Sequence, residues 1–90
     1  MSKELEALGY SYDDEVCGYH KELLFDYNNI NKNKSLGSLL FYTENNDLHF
    51  YKGRLYEACK NRNEIIEEEI NKLKTTLKET ITIIWETECE

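Results

Sequence analysis

The chain has no proline and no glutamine, only two arginines, and four glycines scattered at 9, 18, 37 and 53. Without proline and with glycine so sparse, no Pro/Gly/Ser-rich linker divides it, and no Gly-rich phosphate loop is present. Arg54 and Arg62 against 18 acids leave a net charge of -7. That argues against direct nucleic-acid binding, which needs cations to neutralise phosphates. An anionic membrane surface is disfavoured for the same reason. Long apolar runs are also lacking: "LLFY" at 39–42 is among the longest. No stretch reads as a transmembrane span or secretory h-region. Cysteine is odd in number (Cys17, Cys59, Cys89) and forms no tight framework. Free thiols in a reducing, cytoplasmic setting follow.

Ninety residues make one domain, 1–90. A chain of that size builds a thin core, so oligomerisation or a partner matters to its stability. Its charge is uneven. Residues 1–30 hold two lysines against seven acids, a net of -5, residues 31–53 carry +1, and residues 54–90 carry -3. A basic protein surface would be attracted.

Periodicity organises the rest. "MSKELEALGY" reads as a helical turn stopped at Gly9. In "SYDDEVCGYHKELLFDYNNI", Ser11 and Asp14 resemble a capping box, and Asp13, Asp14 and Glu15 suit a helix N-terminus. Val16, Tyr19, His20, Leu23, Tyr27 and Ile30 then recur at helical spacing, which predicts a helix over 12–30. "NNINKNKSLG" reads as a polar loop. Two aromatic-rich runs around "ENND" predict a β-hairpin, strands 39–43 and 48–52. Alternation puts Leu39 and Phe41 on one face and Leu40 and Tyr42 on the other.

The C-terminal segment is ambiguous. As a strand, "TITIIWET" places Ile81, Ile83 and Trp85 on one face. As a helix, Ile66, Ile70, Leu73, Leu77, Ile81 and Ile84 form a stripe that extends back through Leu55 and Cys59, breached only by Arg62. The longer stripe favours a continuous helix over 55–84, about 45 Å long. It would overhang its own domain and expose a seam for a second copy, hence an expected homodimer. The expected fold is therefore α+β and helix-predominant: N-terminal helix, β-hairpin, long C-terminal helix.

Chemistry-bearing residues are few. Cys17 and His20 are spaced like half a zinc site, which His49, Cys59 and Cys89 would have to complete without a second paired spacing. The plainer reading is a buried thiol and a half-buried imidazole. The same pair is a poor template for a nucleophile and its base. No paired carboxylates are singled out for acid–base work. No enzyme, metal or cofactor is expected.

Acids and aromatics point instead to a protein surface. Glu64, Glu67, Glu68 and Glu69 lie in "EIIEEE", and Asp13, Asp14, Glu15, Glu22 and Asp26 near the start. Carboxylates one or two helical turns apart are about 5–11 Å from each other, comparable with phosphates along a DNA strand. The bland alternative is a solvated helix face. Among eleven aromatics, Tyr10, Tyr12 and Trp85 read as interface anchors, and Phe41, Phe50 and Tyr27 as core. Short, acidic, proline-free and rich in Asn, Lys and Ile, the chain resembles in composition the small accessory proteins of AT-rich phages and mobile elements. That resemblance implies an inhibitor or modulator of a host enzyme or defence complex.

The expected function is non-catalytic: an inhibitor or modulator that occupies a basic surface of a nucleic-acid-handling host protein by steric and electrostatic means, with mimicry of a DNA phosphate track as one form this could take. Asp13, Asp14, Glu15, Glu64, Glu67, Glu68, Tyr10, Tyr12 and Trp85 are its candidate contacts. The alternative is a structural homo-oligomer paired through Ile66, Ile70, Leu73, Leu77, Ile81 and Ile84.

Overall fold

A computed structural model of the chain describes residues 2–26 and 33–86. A short helix α1 (Ser2–Ala7) precedes strands β1 (Ser11–Asp13), β2 (Gly18–Asp26), β3 (Asn33–Tyr42) and β4 (Asp47–Lys52). A 3-10 turn at Tyr56–Ala58 leads into α2 (Arg62–Leu77), and β5 (Thr82–Glu86) follows. The strands form one sheet in the order β1-β2-β3-β4-β5. The pairs β1–β2, β2–β3 and β3–β4 are antiparallel, and β5 runs parallel to β4. The fold is sheet-rich and not helix-predominant, which corrects the expectation from periodicity.

Over the described residues up to Asp26, the segment expected to be a helix over 12–30 is instead the β1–β2 hairpin. Asp13 Oδ1 accepts the Glu15 amide at 3.0 Å, and Cys17 has φ 55, so "DDEVC" turns the chain instead of capping a helix. Val16, which the helix would have buried, is exposed. From Tyr19 the pattern has period two. Leu23 and Phe25 are buried with Tyr19 packed beside them, while His20, Glu22, Leu24 and Asp26 are exposed. Tyr27 and Ile30 lie outside the described residues. The turn before this hairpin is the expected one: α1 ends ahead of Gly9, whose φ of +100 suits a residue without a Cβ.

The β3–β4 hairpin is present, with Leu39 opposite Phe50 and Phe41 opposite Leu48. All four are buried on the face that α2 covers. β3 starts earlier than the hairpin reading placed it, inside the stretch read as a polar loop. Its pairing with β2 jumps from Leu23↔Gly37 to Leu24↔Ser35, so Leu36 is the extra residue of a β-bulge. Leu36 is fully buried.

The long C-terminal helix is also corrected. α2 stops at Leu77, where Lys78 adopts a left-handed conformation and donates its amide to the Lys74 carbonyl at 2.8 Å. Beyond it, β-branched Thr80, Ile81, Thr82, Ile83 and Ile84 lose rotamer freedom in a helix but fit a pleated surface. The outer edge of β4 supplies the ladder. A parallel return needs a crossover, and α2 is that crossover. The seam is therefore not one helical stripe. Ile66, Leu73 and Ile81 are buried in this chain's own core, and Ile70 and Leu77 pack against it. Ile84 sits on β5, beside His49 in the ladder.

Candidate protein-binding site

The acidic candidates fall in two places. Asp13, Asp14 and Glu15 are exposed at the β1–β2 turn, and Glu64, Glu67 and Glu68 are exposed on α2. Helical spacing of carboxylates survives only on α2, so the N-terminal acids do not reproduce a phosphate track by that route. The aromatic candidates separate as well. Tyr12 is exposed and meets the Tyr19 ring edge-on at 5.1 Å. Trp85 is 46 % exposed. Tyr10 is not available as a partner contact, being only 2 % exposed.

Tyr10 belongs to a buried polar cluster. Its hydroxyl donates to Glu69 Oε2 at 3.0 Å. Lys21 Nζ donates to the same oxygen at 2.9 Å and to the Leu8 carbonyl at 2.7 Å. Glu69 is itself buried, and the cluster ties the α1–β1 connection and β2 to α2. Burial, followed by the charge of Glu69, holds the Tyr10 phenol far above the usual tyrosine range. The unfolded phenol ionises near pH 10, so above that pH the unfolded chain releases a proton that the folded one keeps. Stability from this group is complete below about pH 10 and declines as the pH rises further. Thermal melts from about pH 8 to about pH 11 are therefore expected to fall more steeply for the native chain than for Tyr10→Phe. Parallel curves would show that Tyr10 is not buried as described.

The sheet face away from the helices carries His20, Leu40, Tyr42, His49, Tyr51 and Glu86. His49 Nδ1 lies 2.7 Å from Glu86 Oε2, a contact that joins β4 to β5. The Tyr42 ring meets His49 edge-on at 5.3 Å, and the Tyr51 ring stacks with His49 at 6.5 Å. Burial and the nearby Glu86 charge raise the Tyr51 phenol above its ordinary range. This arrangement works as a clasp that fixes β5. The Cys17–His20 pair loses its one-turn spacing because the two residues lie in a turn and a strand. Cys17 Sγ faces the Asp14 carbonyl at 3.6 Å, and His20 points to the open face. Cys59 is a buried free thiol that donates to Asn61 Oδ1 at 3.4 Å, and Cys89 lies outside the described residues. Among the described residues no group of three or more such side chains is placed to hold a metal ion.

One groove combines exposed apolar area with an acid. It runs between α2 and β5 and is lined by Asn63, Ile66, Glu67, Ile70, Ile83 and Trp85. The ladder pairs Ile83 with Leu48 and Trp85 with Phe50, so both side chains of β5 point to the α2 side. The Trp85 ring meets Phe50 edge-on at 5.4 Å, which anchors one side of the indole and leaves the rest open. Among the described lining residues Glu67 is the only charged one.

Trp85, expected from the sequence to be an interface anchor, is half-exposed. Its groove partners Ile66 and Ile70 were read as an oligomer seam. Glu69 and Lys21 went unrecognised as a pair. The signal for Glu69 was its place three residues after Ile66 and four before Leu73, on the apolar stripe itself. Nothing local in the sequence marks Lys21 or the His49–Glu86 clasp. Among the described residues no helix is long and apolar enough to cross a membrane. Comparison with protein-family models, curated proteins and solved structures gave no match.

Proposed function

We propose that this chain is a non-catalytic, acidic protein-binding module that docks through the α2–β5 groove onto a basic surface of a nucleic-acid-handling protein. The observation that carries the reading is the half-exposed Trp85 in an apolar groove bordered by Glu67. Aromatic anchors in a partly desolvated groove supply binding energy, whereas a rim acid sets on-rate and partner choice. The net charge of -7 supports a basic partner. Glu64 and Glu68 on α2 and the acids of the β1–β2 turn add to the steering field. Modulation is steric: a surface covered by this chain is closed to a phosphate backbone. The free thiols Cys17 and Cys59 support a reducing, cytoplasmic setting.

The test compares three baits in a bacterial lysate: the native chain, Trp85→Ser and Glu67→Gln. A nucleic-acid-binding protein retained by the native bait at low salt is expected to bind Trp85→Ser at least about thirtyfold more weakly. Glu67→Gln should chiefly slow association and reduce its salt dependence. Circular dichroism checks that both variants fold. Equal retention by all three baits contradicts the assignment of the groove.

A further inference from the structure

The backbone of β5 has an alternation that deepens this reading and rests on it. The Thr82 amide donates to the Asn46 carbonyl at 3.0 Å, and Thr82 pairs with Asp47. In a parallel ladder, every second residue directs both its N–H and C=O to the same neighbour. Thr82, Ile84 and Glu86 therefore turn their backbone groups towards β4. Ile83 and Trp85 turn theirs outward. No strand lies beyond β5 among the described residues. The two residues that offer backbone hydrogen bonds at the edge are thus the two whose side chains line the groove.

Exposed edges are usually protected by proline, a lysine, a bulge or an inward charge. β5 reads "TIIWE" and carries no proline and no lysine. Its pairing with β4 runs without a register shift. Its one acid, Glu86, is engaged by His49 on the opposite face.

We infer that β5 accepts an extended segment of the basic partner as a further strand, bonded to the N–H and C=O of Ile83 and Trp85. Side chains of such a segment alternate between the groove and the open face. Apolar residues pack on Ile70, Ile83 and Trp85. Its lysines or arginines then lie on the open face, within the acidic field of the molecule. A second copy of this chain is the less suitable occupant. It would bring another net charge of -7 against the same edge.

The test uses the intact protein and two synthetic peptides in which valine alternates with lysine. One is unmodified; the other is N-methylated at every residue, with equal charge but no amide able to join a ladder on either edge. Amide exchange is followed residue by residue by NMR, and mass by light scattering. The unmodified peptide is expected to slow exchange at Ile83 and Trp85 by at least about tenfold, with the N-methylated peptide leaving both rates unchanged. Equal binding of both peptides overturns strand addition while leaving a basic partner in the groove intact. Binding of neither peptide, even at millimolar concentration, counts against strand addition and the basic-partner reading together. Protection of both amides without peptide, accompanied by a doubled mass, overturns the inference in favour of a second copy.

Discussion

Replacing Gly37 with alanine is expected to destabilise the fold by about 3 kcal/mol, near the upper end for overpacking in a well-packed interior. Gly37 sits on the core face of β3, opposite Leu23 on one side and Lys52 on the other, directly after the bulged Leu36. A Cβ there would fall on the Tyr51 carbonyl oxygen and lie 2.6 Å from the Phe50 ring. Neither can yield cheaply. The carbonyl belongs to β4, and Phe50 is fully buried against Trp85 and Tyr56. Gly18→Ala is the control. Its Cβ would meet side-chain atoms of Tyr42 and Leu40 at 3.1–3.2 Å, on the more accommodating open face. Urea unfolding should rank Gly37→Ala well below Gly18→Ala. The reverse order would place the close approach of β3 and β4 elsewhere.

The second large effect concerns Glu69. Glu69→Ala is expected to cost about 3–4 kcal/mol, since it strands a buried Tyr10 hydroxyl and removes the counter-charge of Lys21. The Lys21 side chain is 19 % exposed, so water recovers only part of its solvation, and its bond to Leu8 remains. Breaking a buried pair is far costlier than replacing the whole of it. Hence the triple variant Tyr10→Phe, Lys21→Met, Glu69→Met should recover most of the lost stability in the same denaturation assay. A cost below about 1 kcal/mol for Glu69→Ala would mean that the cluster is solvated and does not hold α1 and β2 to α2.

The sequence revealed local features well and long-range ones poorly. The stop at Gly9 and the β3–β4 hairpin were readable because a turn and two short runs determine them. The 12–30 segment misled because its apolar residues fit a period of 3.6 about as well as a period of two. The deciding signal was the Asp13–Glu15 turn and the left-handed Cys17, neither of which periodicity records. At the C-terminus the stripe from Leu55 to Ile84 merged three elements, with Leu55 and Cys59 flanking the 3-10 turn ahead of α2. Ile66, Ile70, Leu73 and Leu77 are a helix face, whereas Ile81 and Ile84 belong to the return strand and its approach. A strand added in parallel depends on the outer edge of β4, about 35 residues away in the chain. No local propensity carries that information.

The site was legible in the same partial way. Trp85 was singled out by residue type, since tryptophan offers large area with a polar tip, and the structure leaves it half-exposed. Tyr10, read the same way, is buried, with its hydroxyl bonded to Glu69, a contact 59 positions distant in sequence. The acids of α2 were visible as a run. That one of them is buried and another borders a groove emerges only when the helix is laid across the sheet.

Trp85 is the sole tryptophan, so its fluorescence reports on the groove without labelling. The decisive experiment is a titration of the native chain with the nucleic-acid-binding protein it captures, following emission selectively from Trp85 and its quenching by acrylamide. A tryptophan-free version of the partner keeps the signal unambiguous. Docking in the groove should shift the emission to the blue and protect the indole from the quencher in step with binding. Saturable binding that leaves both signals at their free values would contradict the groove as the docking surface, and would move attention to the acidic β1–β2 turn.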